Sequence, residues 1–458
     1  MISSLYQTRL GISPQGTLCI SSQPTDSQPT GPCPITRLPT ELLTDILSLA
    51  AAFNSTSPIP QVCKHWHRAY EPVLYHTLQL GNDDREARLQ SHRLRQALIQ
   101  KPRLGGYVRM LDVVLYNPRE GTCRLVVDVM KMCPGVRALA LSSTKSTILQ
   151  TICEAGARLH RLEELSMGVR SIERGGLPLQ MVLANFKHRP LRVLHLSRYG
   201  LGEEHTPYVE WPTPRSVAQK GLDELSQLVP RQGTTHMTTM TLYDPYAPPA
   251  AAEILLRWPK ALVHLSITGI FHGHHGGNYT VEALQRMLDI HRPSLQTVRI
   301  GNYSGELPGI PDFRSFPKLH QLWLSMYNFL SEDSFIAALK LTTPRLAHLH
   351  TSFDTEDQHR ASHSAFGSAE AEWMERFIAG KTPKGTLSNL QSMEIEYRPD
   401  SPYIEHIPWP WTHLQECQKS LRQSVFNLIN SPSWTREEWF DIIAETKRSD
   451  ENDYGEHP

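Results

Sequence analysis

The densest set of metal-ligand side chains in this chain is His272-Gly273-His274-His275-Gly276-Gly277. Three imidazoles so close together could ligate a transition metal. The glycines around them make a flexible loop, however, so preorganised ligation is not expected, and neither a metal nor a cofactor is assigned. Other chemistry is harder still to find. There is no G-x-x-x-x-G-K-[ST], no G-x-G-x-x-G, no H-E-x-x-H and no G-x-S-x-G. The seven cysteines (Cys19, Cys33, Cys63, Cys123, Cys133, Cys153 and Cys417) are scattered and contain no C-x-x-C pair. That pattern favours buried free thiols in a reducing compartment over zinc or a disulfide framework. The chain is read as an interaction protein with no catalysis of its own.

Binding residues can be placed instead. His195, Tyr243, His264, Arg299, Trp323 and His350 each flank apolar residues in short alternating runs. If those runs are strands, these side chains point away from the core. Tyr, Arg and Trp are enriched at binding hot spots, and a mid-strand Trp has little structural excuse for exposure. Trp323 is therefore the first candidate, with His350 one repeat on.

The elements that must position them form an internal repeat. An apolar residue is followed by others three and five positions later, at Val108-Leu111-Val113, Val136-Leu139-Leu141, Leu162-Leu165-Met167, Leu191-Leu194-Leu196 and Met237-Met240-Leu242. The series continues at Leu262-Leu265-Ile267, Leu295-Val298-Ile300 and Leu319-Leu322-Leu324, breaks at Thr351 after Leu346-Leu349, and closes at Leu390-Met393-Ile395. Most first positions lie 24 to 33 residues apart, and two intervals stretch to 46 and 44. The long intervals hold an insertion over 203–212 and, after 354–360, a helix around Trp373, Met374 and Phe377. The alternating runs read as strands and the intervening segments as helices. Thr122, Thr280 and Ser331 are expected helix caps, the last leading a helix with Phe335, Ile336 and Leu339 on its apolar face. One strand-plus-helix repeat cannot cover its own apolar side, so stacking into a solenoid is expected.

Ahead of the repeats, residues 35–80 predict three short helices: one with Leu38, Leu42, Leu43, Ile46, Leu47 and Leu49, a second with Val62, Cys63, Trp66, Ala69 and Tyr70, and a last piece opened by Pro72. The order Leu38-Pro39-Thr40-Glu41-Leu42, then Val62-Cys63-Lys64-His65-Trp66, then Leu74-Tyr75 resembles the F-box, although the segment 50–57 departs from it. Residues 101–398 resemble the leucine-rich repeats of F-box proteins. The usual Asn after the strand is missing, with Tyr116, Tyr199, Tyr303 or Tyr327 in its place in four repeats. These tyrosines are expected to cover the corner and send each hydroxyl to a local carbonyl.

The resemblance implies an α/β chain. A three-helix F-box (35–80) would lead, through a linker helix (81–107), into an irregular leucine-rich-repeat solenoid (108–398), with parallel strands on the concave face and helices outside. A helical C-terminal cap (399–446) would follow, with polar tails at 1–34, read as disordered, and 447–458. It further implies a substrate-recognition subunit of a Skp–cullin–F-box ubiquitin ligase. Leu38, Pro39, Glu41, Leu42, Ile46, Leu47, Val62, Cys63, Trp66, Leu74 and Tyr75 would dock on a Skp-type adaptor carried by a cullin–RING scaffold. The repeats would bind a protein substrate. The alternative is a repeat scaffold working outside any cullin ligase.

Lys plus Arg and Asp plus Glu each number 46 in 458 residues, so no net charge draws the chain to nucleic acid or membrane, and neither is an expected partner. No signal-like run and no 18-residue apolar stretch appears, which leaves the cytoplasm, the nucleus or both as the expected location.

Overall fold

Every full apolar triplet named above is buried from end to end, as are Leu346 and Leu349 in the broken one. Where the pattern breaks, Thr351 is buried too, and its hydroxyl donates to the Glu394 carbonyl at 3.4 Å. The computed structural model describes Leu38 and residues 42–43, 46–47, 64–81, 85–116, 120–144, 146–169, 176–201, 215–229, 233–269, 279–301, 309–353, 367–379, 387, 389–397, 411–421, 427–431, 435–438 and 440–441. The two expected tails, the 203–212 insertion and the His272–Gly277 cluster lie outside them. The chain divides into two compact units, residues 1–70 and 71–458.

In the larger unit the triplets sit on strands of one sheet. Its strands are β1 (Thr77–Gly81), β2 (Met110–Leu115), β3 (Ala138–Ser143), β4 (Glu164–Val169), β6 (Val193–Ser197), β8 (Thr239–Tyr243), β9 (His264–Thr268), β10 (Thr297–Ile300), β11 (Gln321–Ser325), β12 (His348–Phe353), β13 (Ser392–Tyr397) and β14 (Asn427–Ser431). All twelve are parallel and lie in chain order; β5 (Leu177–Pro178) and β7 (Tyr199–Gly200) make a separate small pair. Because each strand joins its immediate successor, and parallel crossovers are right-handed, the connecting helices all fall on one face of the sheet.

Those helices are α2 (Arg85–Gln100), α3 (Glu120–Met132), α4 (Ser146–Gly156), α5 (Leu179–Phe186), α6 (Arg215–Leu228), α7 (Pro249–Leu256), α8 (Val281–Asp289), α9 (Met326–Leu330), α10 (Ser334–Lys340), α11 (Ser368–Ala379) and α12 (Thr412–Leu421). Helix α1 (Lys64–Leu74) precedes them. Neighbours such as α3 and α4, α4 and α5, and α7 and α8 pack side by side. The core lies between this layer and the buried face of the sheet.

One backbone device locks each repeat to the next. Just before a strand, a single carbonyl accepts two N–H groups from the following repeat. His76 takes Arg109 and Met110, Arg109 takes Arg137 and Ala138, Arg137 takes Glu163 and Glu164, and Glu163 takes Arg192 and Val193, all within 2.7–3.2 Å. The pattern continues through Arg192, Thr238, Val263, Gln296, His320 and Ala347.

Several expectations need correction. The sheet begins before Val108, because Tyr75-Leu78-Leu80 follows the same triplet spacing and β1 pairs with β2. It also runs on past residue 398, where Leu428 and Ile429 lie in β14, paired with β13, and not in a helix. Pro72 does not open a third helix. It sits inside α1 near its C-terminal end, where it removes one backbone N–H from the helix's bonding and disfavours further helix. Helix α3 starts at Glu120, which places the expected cap Thr122 inside its first turn. Thr280 does cap α8, accepting from the Ala283 N–H. Helix α10 is capped by Asp333, which accepts from Phe335 and Ile336, while the Ser331 hydroxyl donates to the Asn328 carbonyl.

The apolar face of α10 is also reversed. Ala337 and Ala338 are buried, whereas Phe335, Ile336 and Leu339 are 69%, 42% and 37% exposed. The neighbouring interior is already filled by Phe329, Trp373 and Phe377, whose ring centroids lie 4.6–5.3 Å apart. Only small side chains fit beside them. Of the corner tyrosines, Tyr116 is partly exposed and Tyr199 fully buried. The Tyr199 hydroxyl finds no carbonyl. It lies near that of Tyr279, which itself donates to the Ala247 carbonyl at 3.2 Å, and burial pushes its pKa well up. Tyr303 and the Tyr327 side chain are outside the described residues.

Candidate functional site

Among the described residues the connecting helices leave one face of the sheet uncovered, and register fixes what stands on it. One row reads His195, Thr241, Ser266, Arg299, Trp323, His350 and Glu394 across seven adjacent strands. Neighbouring side chains in such a row are about 4.8 Å apart. Arg299, Trp323 and His350 are therefore brought together. Arg299 is exposed, while Trp323 and His350 are half-buried, with ring centroids 6.0 Å apart and tilted by 41°.

His350 is held between two carboxylates of β13. Its Nδ1 lies 3.3 Å from Glu394 Oε2 and its Nε2 3.1 Å from Glu396 Oε2. Glu396 is largely buried; Glu394 keeps 39% of its side chain open to solvent. Next to them His348 Nδ1 and Ser392 Oγ are 2.8 Å apart. The three groups around His350 are not placed to hold a metal ion.

The other predicted residues spread along the same face. His195 shares the row of Arg299 but lies three strands away, roughly 14 Å, and burial lowers its pKa. Tyr243 is exposed at the far end of β8, opposite Thr268. His264 starts β9 at the opposite end; burial, then the neighbouring His320, lowers its pKa. The six thus form one cluster of three and three separate points.

Glu394 and Glu396 complete the cluster and were not among the six. The signal was present, since they occupy alternate positions of the strand paired with His350. Chemically the cluster offers an aromatic surface, an exposed guanidinium and an open carboxylate in one line. That suits recognition of an extended polypeptide.

In the smaller unit, the residues with F-box-like spacing separate by exposure. Leu42 and Ile46 are 52% and 49% exposed, one helical turn apart. Leu43 and Leu47 beside them are buried, so Leu47 leaves the exposed set and belongs to an interior. Leu38 is half-buried; of the two matching residues that fall in the larger unit, Leu74 is exposed and Tyr75 half-buried. Pro39, Glu41, Val62, Cys63 and the Trp66 side chain lie outside the described residues.

No protein-family model matches this sequence, and comparison with curated proteins finds no match. Among solved structures, the crystal structure of the Rad7 and Elc1 complex in yeast aligns with 81% of this chain and 90% of that one, at 13% identity and a TM-score of 0.37. That likeness is too slight to assign a fold family or a function, so the fold described here rests on the chain's own sheet and the site on its own geometry.

Proposed function

We propose that this chain is a non-catalytic substrate receptor of a Skp–cullin–F-box ubiquitin ligase. The observation that carries the reading is the pair Leu42 and Ile46, apolar, one turn apart and half exposed, on the segment that resembles the F-box. Covering the exposed half of each is worth about 1 kcal/mol, which favours a partner polypeptide over water. That partner would be a Skp-type adaptor on a cullin–RING scaffold. The Arg299–Trp323–His350–Glu394 line would hold the substrate, raising the effective concentration of its lysines near the charged conjugating enzyme.

The test compares wild type with Leu42→Ala/Ile46→Ala and, separately, Trp323→Ala, by affinity purification and mass spectrometry under proteasome block. The double variant should lose adaptor and cullin while its repeats stay folded by circular dichroism. Trp323→Ala should keep the adaptor and lose substrates. Adaptor recovery at wild-type level by the double variant refutes the docking claim, and a wild type free of adaptor and cullin leaves a repeat scaffold outside the ligase.

A further inference from the structure

A neutral sum hides an uneven distribution of charge. Because all strands of the main sheet are parallel, every turn from a helix into a strand lies along one edge. Three of these turns carry two cations each: Arg158 and Arg161 before β4, Lys187 and Arg189 before β6, and Arg257 and Lys260 before β9. Four of the six are exposed, and Lys187 and Arg189 are half-buried. None of the six is in an ion pair among the described residues. Of the acids nearby, Glu163 lies 3.9 Å from Arg192 and Asp289 3.0 Å from Arg292, which leaves Glu164 at the start of β4 to offset one charge.

The helices end at this edge, and each helix C-terminus contributes about half a negative charge. One cation per turn would do little more than offset that. Two per turn leave a positive surplus.

The edge also lacks what a protein partner would need. Interface cores are built on aromatic and apolar anchors. None of the large exposed hydrophobic residues falls on these turns; His160, His188, Pro190 and His236 stand exposed there instead. Nor do these turns carry an exposed Phe, Tyr or Trp, the broadest platforms for stacking unpaired bases. In the sheet β4, β6, β8 and β9 are consecutive neighbours, so the cations cover roughly 14 Å along the edge. That is the length of about four phosphates on one strand of a duplex. Four of the six are arginines, whose planar fork fits phosphate oxygens.

We infer that this edge binds the phosphodiester backbone of a nucleic-acid duplex without reading its bases. The inference is independent of the adaptor and of the open sheet face. It runs against the expectation drawn from net charge, because equal totals of acid and base say nothing about where the bases stand.

The experiment is fluorescence anisotropy of the full chain with a labelled random-sequence DNA duplex of about 20 base pairs, titrated between roughly 50 and 200 mM salt. Binding should be micromolar or weaker and should fall with salt at a log–log slope of about −3 to −4. Arg158→Gln/Arg161→Gln/Lys187→Gln/Arg189→Gln should lose at least tenfold and flatten the slope. Arg257→Gln/Lys260→Gln, with fewer changes, should lose less and serves if the first variant does not fold. No binding at the lowest salt, or both folded variants binding like wild type, overturns the inference. So does polyglutamate or a phosphatidylserine vesicle binding more tightly than the duplex, which would make the edge a site for acidic protein or for membrane.

Discussion

Arg198 and Asp244 close on one another at 2.8 Å from equivalent positions just past two neighbouring strands, and both stand in the left-handed region, at φ 52° and 49°. Gly269 follows at the same place on the next strand, at φ 70°. The backbone explains the conformation. Arg198 N–H donates to the Tyr243 carbonyl and Asp244 N–H to the Thr268 carbonyl, both at 2.9 Å, so each strand ends on a bond to the next. Aspartate tolerates this region and arginine does not, so the ion pair compensates a backbone cost at Arg198. Arg198→Ala should lose the pair and keep the strain, whereas Arg198→Gly loses the pair and relieves the strain. The glycine variant should be the more stable by about 1 kcal/mol, and the Arg198/Asp244 double-mutant cycle should give a coupling of about 0.5–1 kcal/mol. Urea melts of the variants check both; a glycine variant weaker than the alanine one counts against the strain.

Mild acid should weaken the fold through its buried histidines. His291 is buried, its Nε2 donating to the Leu256 carbonyl at 2.6 Å and its Nδ1 accepting the Leu262 N–H at 3.4 Å. That arrangement needs the neutral ring. Burial lowers its pKa, and the bond to Leu256 only partly opposes this. His195 and His264 are lowered as well. The unfolded chain takes up these protons near pH ~6.5, and the folded chain resists until lower pH. Stability should therefore be level above that pH and fall below it. Denaturation midpoints at pH 5.5 and 7.5 test the sign. His291→Gln should lower stability at pH 7.5 by about 1–3 kcal/mol and shrink the difference between the two midpoints.

Size misleads on helix α10. Phe335→Ala should cost less than about 0.5 kcal/mol, as an exposed substitution. Phe329→Ala, in the ring cluster with Trp373 and Phe377, should cost about 3–5 kcal/mol. Chemical denaturation of the two variants separates this orientation from the one the sequence suggests; similar losses would restore the latter.

The buried thiols should be inert. Burial pushes Cys133 and Cys153 to about 12 and Cys417 to about 11, and raises Cys123 as well. Their thiolate populations at neutral pH are therefore small. Iodoacetamide followed by peptide mapping should label these four only after denaturant is added. Rapid native labelling of Cys153 would show that its repeat opens.

What could be read from the chain alone followed its regularities. The apolar triplet identified the sheet because alternation on a strand and burial behind it are the same geometric fact. It stops short of both ends for separate reasons: Tyr75 also fits the F-box-like spacing, and Asn430 occupies the third position of the last strand, where the triplet carries an apolar residue. The binding line was half legible. Trp323 and His350 stood out by residue type, while the Glu394 and Glu396 clamp depended on a pairing across more than 40 residues, from His350 to Glu394. The orientation of α10 was illegible because apolar character alone does not say how much room lies beneath a helix. The basic edge was invisible to a total, since only parallel strands gather those turns on one side.

The shared carbonyls ahead of each strand make the two margins of the sheet unequal in their tolerance of extra chain. On the incoming margin the apolar residue, the shared carbonyl and the first strand residue keep one fixed separation, as in Met237, Thr238 and Thr239. A single added amino acid between Met237 and Thr239 would turn Met240 and Leu242 outward and Thr241 inward. The outgoing margin obeys no such rule: fourteen positions separate Gly200 from α6 at Arg215, and β6 still pairs with β8 in register. New length, whether grafted or inherited, has one side of this molecule on which to accumulate.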